Sequence, residues 1–477
     1  MSNPVPAARE RATGRQRTGS VLTAVNGVQL LVSLDLCIVN VALPDIATDL
    51  GFPPAELAWV IHAYALTFGG LLLLGGKLAD LVGRRRILLV GLFVFAAASL
   101  LAGLATTPGL LVAARALQGI GAAAMQPASL AVLTTTFPTG RARARAFGIW
   151  SAVNALGAAL GVVLGGVVTE LGGWRWVMLL NVPVALVPLV LAMRSIPRDV
   201  VPKRSRRPDV LGAVLATLGM TVLVYAVVRT PELGWATPQT VIAVVVASTS
   251  IALFVVVERS PRRDPLLRLG LLGNRSVAGS NVFNLLIGAV MASCFYFLSL
   301  YVQLVLEHPP AITGLMFLPF ALGVVIGAAI AVRLGTRLAP RTLMLIGAPM
   351  TAVGFAWFGF MRADGSFLVD VLGPSIVASI GFGLCLGPVV STATHGVKDE
   401  DAGMASGLLS SARQIGASLG LAMLGTLAQH RIGADGTPEA LAVGYGLGML
   451  VGAALLVIAA GSVLLILPRE RVNGHGE

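Results

Sequence analysis

Two charged residues sit where an apolar chain has little room for them. Asp35 lies in Leu34-Asp35-Leu36-Cys37-Ile38-Val39-Asn40-Val41-Ala42-Leu43-Pro44, and Arg115 in Leu111-Val112-Ala113-Ala114-Arg115-Ala116-Leu117-Gln118-Gly119-Ile120-Gly121. An ionised side chain in such surroundings costs several kcal/mol unless it is paired or hydrated, so each is a functional candidate. A carboxyl can take up and release a proton, and a guanidinium can pair with it. Arg413 is a third charge of this kind, placed either to face a cavity or to bond backbone. Asn40, Gln118, Gln126, Asn154, Asn281, Asn284 and Gln303 are candidates to line a cavity. Each serves equally well as interhelical glue worth about 0.6 kcal/mol. Phe295, Tyr296, Phe297 and Tyr301 offer an aromatic binding surface or plain packing.

Other chemistries are excluded. The three lysines precede Leu78, Arg204 and Asp399, so none ends a phosphate-binding loop. Cys37, Cys294 and Cys385 each fall in an apolar run, which excludes a disulfide scaffold and a Cys-rich metal site. The expectation is a protein that is not an enzyme, holds no metal or cofactor, and draws its energy from an ion or solute gradient.

The elements that must position these residues are membrane helices. Of 477 residues 56% are apolar and 12% charged, against about 25% charged in soluble domains. Mean hydropathy is +0.86. Runs long enough to cross about 30 Å of hydrocarbon number fourteen: 21–43, 56–76, 87–106, 109–134, 147–168, 174–193, 209–228, 238–257, 276–304, 312–332, 342–361, 367–391, 403–427 and 441–467. The polar, basic start is followed by a long run containing Asp35, which reads as a retained first span rather than a cleaved signal.

With the N-terminus inside, 28 of the 34 Lys and Arg residues fall in inner segments. Only Arg175, Arg229, Arg362 and Arg431 fall in outer loops, while Arg115 and Arg413 lie inside spans. That asymmetry is the positive-inside signature of a cytoplasmic membrane, with both termini inside. The net charge of +12 is thus a topology device, and no basic patch with stacking aromatics points to nucleic acid.

The chain repeats itself. Span 5 has Gly148, Gly157 and Gly161; span 13 has Gly407, Gly416 and Gly420 at the same spacing, each ending in Gly-Ala-x-Leu-Gly. Gly119, Gly121 and Pro127 in span 4 correspond to Gly381, Gly383 and Pro388 in span 12. Equal span parity makes this a parallel repeat. Six spans plus six leave spans 7 and 8 as an inserted pair. The expected organisation is a tail at 1–20, a six-helix bundle at 21–193, loops and the inserted pair at 194–275, a second bundle at 276–467 and a tail at 468–477.

Four motifs carry a family resemblance. The turn Gly76-Lys77-Leu78-Ala79-Asp80-Leu81-Val82-Gly83-Arg84-Arg85-Arg86 resembles the major facilitator signature. A helix can approach closely at Gly76, Asp80 can cap or pair, Gly83 permits a tight reversal, and Arg84 and Arg85 hold the loop inside. The Arg115 stretch resembles the second signature of that superfamily. The Asp35 stretch resembles the opening signature of its fourteen-span drug:proton antiporters, with Cys37 where Thr is usual. Gly157, Gly161, Gly165 and Gly166 match the antiporter helix signature, whose proline is replaced by Val162. The match continues through Trp174-Arg175-Trp176, Asn181-Val182-Pro183, Asp209, Gly212, Gly234-Trp235, Tyr301, Gln303, Gly314, Pro319 and Arg413-Gln414-Ile415-Gly416.

The resemblance implies an all-α integral membrane protein with the major facilitator fold, two six-helix bundles plus two inserted helices. It implies a proton-coupled exporter of lipophilic or amphiphilic compounds such as drugs or antibiotics, with Asp35 and Arg115 in proton coupling. The partners are then the bilayer, a small lipophilic substrate and protons, and the protein works as a monomer. Arg-rich, Lys-poor composition points to a bacterial cell membrane. A transporter of a hydrophilic solute, such as a nutrient or siderophore, and a non-transporting sensor or scaffold are the alternatives. Asp35 and Arg115 lie about 12 Å and 9 Å below the outer ends of their spans, at 1.5 Å per residue. Their similar depth makes direct or water-bridged pairing the expectation.

Overall fold

A computed structural model describes residues 6–53, 56–137, 141–197, 209–259, 266–335, 337–397, 401–433 and 436–468. Parts of the expected tails and of the segment 194–275 lie outside these residues. Fourteen long helices follow one another: α1 (Pro6–Leu50), α2 (Trp59–Val82), α3 (Arg84–Gly103), α4 (Pro108–Thr136), α5 (Arg141–Gly172), α6 (Trp174–Ser195) and α7 (Val210–Leu233). Then come α8 (Pro238–Glu258), α9 (Arg275–Val305), α10 (Pro310–Leu334), α11 (Pro340–Phe358), α12 (Phe367–Ala393), α13 (Ala402–Ile432) and α14 (Pro438–Ile466). Among the described residues thirteen helices are long and apolar enough to cross a membrane. The fourteenth, α13, carries Arg413, Gln414 and Gln429 and packs among the others.

Local chemistry sets the ends. Thr107, Thr237 and Thr437 cap α4, α8 and α14 with a proline just inside each start, and Asp209 caps α7 through Gly212 N. The first helix begins earlier than the hydropathy suggests. Ala7, Ala8, Arg9, Glu10, Arg11 and Ala12 are strong helix formers, so the helix extends back through residues 6–18, ahead of the membrane span that starts at Gly19. The expected span 10 is interrupted at Phe317, just before Pro319, and α9 ends in a π-helical turn at Tyr301–Val305.

Packing reproduces the repeat. In the first half α1 packs on α5 and α6, α2 on α4, and α3 on α4 and α6; in the second half α9 packs on α13 and α14, α10 on α12, and α11 on α12 and α14. Each helix therefore plays the part of the one eight places before it. The glycine repeat has the same use in both halves. Gly157 and Gly161 lie against α1, and Gly416 and Gly420 against α9, where a Cβ would strike the neighbouring helix. The halves meet through α5 with α10, α2 with α13, and α1 with α9.

The inserted α7 packs on both α2 and α13, with α8 behind it. Leu66, Val224, Val228 and Ala422 form a small core there. At the end away from the Arg84–Arg86 turn, here the outer end, Arg229 pairs with Glu56 at 2.9 Å, and Thr426 Oγ1 donates to Val227 O at 3.2 Å. The insertion thus spans the seam between the bundles.

Candidate functional site

Asp35 is wholly buried and Arg115 is 2% exposed. Arg115 Nη1 donates to Asp35 Oδ1 at 3.0 Å and to Oδ2 at 2.8 Å, so the pairing is direct. Five helices build the surroundings. Val60 O, on α2, accepts from Arg115 Nε at 3.0 Å, and the Tyr64 ring lies 4.5 Å from the guanidinium carbon. Gln118, one turn along α4, accepts from Arg115 Nη1 at 2.9 Å and donates to Ser99 Oγ of α3 at 2.8 Å. Ser99 Oγ in turn donates to Met178 O of α6. Asn181, also on α6, donates to Asp35 Oδ1 at 2.8 Å. A buried ion pair survives where its remaining donors and acceptors are satisfied, and this one is nearly so. The open valences are Asn181 Oδ1 and the Tyr64 hydroxyl, both buried and without a hydrogen-bond partner.

Sequence reasoning singled out Asp35, Arg115 and Gln118, leaving Gln118 between cavity lining and interhelical glue; it is fully buried and ties α4 to α3 in this network. It missed Val60, Tyr64 and Ser99, for which no local signal exists. Asn181 was visible only inside the Asn-Val-Pro stretch.

The other polar candidates scatter. Asn40 Nδ2 bonds Leu36 O of its own helix, and its carbonyl accepts from Ser299 Oγ at 2.9 Å. Gln303 Nε2 donates to Val41 O at 3.1 Å and to Ser299 Oγ. Both therefore tie α1 to α9 near the outer end. Asn281 bonds Val277 O in its own helix. Gln126 is half-buried, and its carbonyl accepts from Ser129. Arg413 is partly exposed, with Cys37 of α1 within electrostatic reach. Asn154 on α5 accepts from Gln29 and Ser33 of α1, both at 2.6 Å.

The turn between α2 and α3 is built around Gly83, at φ 118°, a conformation that glycine alone adopts without strain. Asp80 is 62% exposed and pairs with Arg84 at 3.2 Å across this turn. Arg85 donates to Met193 O at 2.7 Å, fastening the turn to α6. The close approach expected at Gly76 occurs one residue earlier. A Cβ at Gly75 would run into the Ala123 carbonyl, whereas one at Gly76 would sit 3.6 Å from Pro127 Cβ, an ordinary contact. On α5, Gly157, Gly161 and Gly165 face Leu30, Leu34 and Ile38 of α1, while Gly166 faces Pro310 of α10.

A cavity of about 360 Å³ opens between the halves at their outer ends. Its wall is mostly apolar and aromatic, with Phe52, Tyr296, Phe297 and Tyr445 joined by Thr48, Thr426 and Gln429. Such a wall, with few polar groups, suits a small lipophilic ligand. Val228 of the inserted α7 contributes to this wall. Of the four aromatics named from sequence, Tyr296 and Phe297 reach this wall. Phe295 stacks on Phe317 instead, and the Tyr301 hydroxyl donates to Arg362 O. His62, missed in the sequence, also borders the cavity; its nitrogens are buried without partners and its ring sits edge-on to Trp59. Among the described residues no group of three or more His, Cys, Asp and Glu is placed to hold a metal.

Comparisons with known proteins bear on the fold and the family. The cephamycin export protein of Amycolatopsis lactamdurans is 42% identical over 463 residues, covering 95% of this chain and 94% of that protein. The puromycin resistance protein of Streptomyces alboniger is 40% identical, covering 92% and 89%. Among solved structures, a bacterial homologue of the human lysosomal transporter Spinster, inward-facing and unoccupied, has a TM-score of 0.66 at 17% identity over 94% of this chain and 97% of that one. The peptide transporter POT in complex with sulfate gives 0.67 at 18% identity, covering 94% and 95%. The family model described as Major Facilitator Superfamily matches residues 25–421, and the chain belongs to that superfamily.

Proposed function

We propose that the protein is a proton-driven antiporter exporting lipophilic or amphiphilic compounds, antibiotics among them, across a bacterial plasma membrane. The observation that carries this reading is the buried Asp35–Arg115 pair, a titratable acid inside a bundle whose relatives are named for antibiotic export and resistance. The sidedness drawn from the loop charges, with both termini inside, belongs to the same proposal, as does action as a monomer.

The network is built to tolerate both states of the acid. With Asp35 ionised, Arg115 and Asn181 hold its two oxygens. With a proton on Asp35, Arg115 keeps Val60 O, Gln118 Oε1 and the Tyr64 ring. Loss of the charge weakens the link of α1 to α4 and α6 without stranding the guanidinium. Protonation from outside and release inside, coupled to reorientation of the two bundles, then carries cargo outward.

Inside-out vesicles with an imposed pH gradient test this on a panel that includes puromycin, lincomycin and a cephamycin. Accumulation should require the gradient and stop with a protonophore. Transport that persists under a protonophore but stops on ATP depletion overturns it. Uptake of a polar nutrient into cells, with no lipophilic compound moved, favours the hydrophilic-solute reading.

A further inference from the structure

Arg413 lies on α13, in the second half, and Cys37 on α1, in the first; each is partly exposed and within electrostatic reach of the other. The Arg413 carbonyl packs on Gly288 of α9, where a Cβ would collide with it, so this part of α13 is pressed against α9. Gln414, the next residue, lies against Gly69 of α2. Arg413 thus sits between a contact with α9 and a contact with α2, with Cys37 of α1 within electrostatic reach. Among the described residues no carboxylate pairs with it and no hydrogen bond engages it. Asp35, the other charge near Cys37, is already held by Arg115 and Asn181.

A guanidinium in the apolar middle of a membrane protein needs a counter-charge, and this one has none within the described chain. Its planar fork matches an oxyanion better than any other partner. On α13 the cavity wall begins at Leu421, eight residues further out, about 12 Å along the helix. From the unpaired cation at the seam and the aromatic wall beyond it, we infer that Arg413 binds the carboxylate or other oxyanion group of an amphiphilic cargo whose apolar body lies against the seam. The assignment of the ligand as cargo rests on the export reading; the anion site itself does not.

Cys37 supplies the test, because a thiol reagent must enter the space that Arg413 commands. The full-length protein in phosphatidylcholine nanodiscs is treated with the anionic sulfonatoethyl and the cationic trimethylammonioethyl methanethiosulfonates. Modification of Cys37 is followed by peptide mass spectrometry; Cys294 and Cys385 are buried and serve as internal controls. The anionic reagent should react faster, and the preference should fall about tenfold in Arg413→Gln, the worth of one charge-assisted contact. Equal preference in both proteins, or no reaction of Cys37 with either reagent, overturns the site.

A second arm identifies the occupant. Among compounds that the wild-type protein exports, Arg413→Gln should raise KM about tenfold for free acids and less than about twofold for their methyl esters. Equal effects on acid and ester overturn the cargo assignment. Loss of the anionic preference when phosphatidylglycerol is added to the nanodiscs gives the site to a lipid headgroup instead and likewise overturns it. Failure of all pH-driven export, with the Cys37 preference intact, removes the export reading and leaves the anion site standing.

Discussion

Asn181 gives its amide N–H to Asp35 Oδ1 at 2.8 Å, while its own side-chain oxygen, buried beside it, receives no hydrogen bond. The two ends of that amide suit the two states of the acid. An ionised Asp35 accepts from the NH2 group; a neutral Asp35 donates, and a turned amide offers the oxygen that now stands empty. Asn181 thus links the protonation state of α1 to the position of α6.

Replacing Asn181 by Ala removes that acceptor and the donor to Asp35 Oδ1, while the Asp35–Arg115 contact itself stays. Uphill export should fall about tenfold, in keeping with one buried hydrogen bond, while downhill exchange persists. Proteoliposomes assayed with and without a pH gradient separate the two; equal losses in both would assign Asn181 to structure alone.

Asp35 and Arg115 should behave as a coupled pair. Arg115→Gln leaves the buried Asp35 carboxylate without its counter-charge and should cost about 3–5 kcal/mol of stability, whereas Asp35→Asn should cost less, since Arg115 keeps Val60 O, Gln118 Oε1 and the Tyr64 ring. The double variant should recover much of that loss yet remain unable to drive export with a pH gradient. Denaturation midpoints in detergent, together with vesicle transport, check both halves of the statement. pH-driven export by Asp35→Asn would point to another acid as the proton carrier.

How far the sequence reaches into this site depends on distance along the chain. The depth of Asp35 and Arg115 followed from helix rise and loop charge, because both sit on regular helices with countable ends. Their pairing was within reach for the same reason. Val60, Tyr64 and Ser99 were not, because they come from neighbouring helices whose rotation no run of residues reveals. The shift of the close contact from Gly76 to Gly75 is one helical step of 100°, finer than a glycine motif resolves. The repeat in glycine spacing was legible because both halves spend it on one contact, α5 on α1 and α13 on α9.

Asp80 and Gly83 should separate cycling from folding. Asp80 is exposed and its pair with Arg84 is a surface i, i+4 contact, worth about 0.5 kcal/mol or less. Asp80→Asn should therefore express normally but turn over slowly. Gly83→Ala forces a side chain into φ 118° and should lower expression as well. Normal turnover by Asp80→Asn at normal expression would remove that acid from the conformational cycle.

The α1–α5 contact admits no extra atoms. A Cβ at Gly161 would lie 2.6 Å from Leu34 O, with backbone rather than a flexible side chain in the way. Gly161→Val should destabilise by about 1–3 kcal/mol through overpacking and displace Asp35, one residue along from Leu34. Gly148→Val meets nothing within 4 Å and should be tolerated. Thermal stability of the two variants, measured side by side, decides whether the stripe is a packing device.

The inserted helix should travel with the first bundle. On that side α7 holds the Arg229–Glu56 pair, and its Tyr225 ring lies 6.3 Å from that of Trp59. On the other side it has the apolar contact with Ala422 and, among the described residues, a hydrogen bond from Thr426 to Val227 O. Charged and aromatic contacts resist sliding more than an apolar face does, and the bundles must rock against each other for access to alternate. A cross-link between Glu56→Cys and Arg229→Cys should therefore leave transport within about twofold of the uncross-linked double variant. One between Val227→Cys and Thr426→Cys, which bridges α7 to the second bundle, should stop transport until a reductant is added. If the two cross-links had the reverse effects, α7 would belong mechanically to the second bundle. If neither blocked transport, the seam beneath α7 would not be a moving surface.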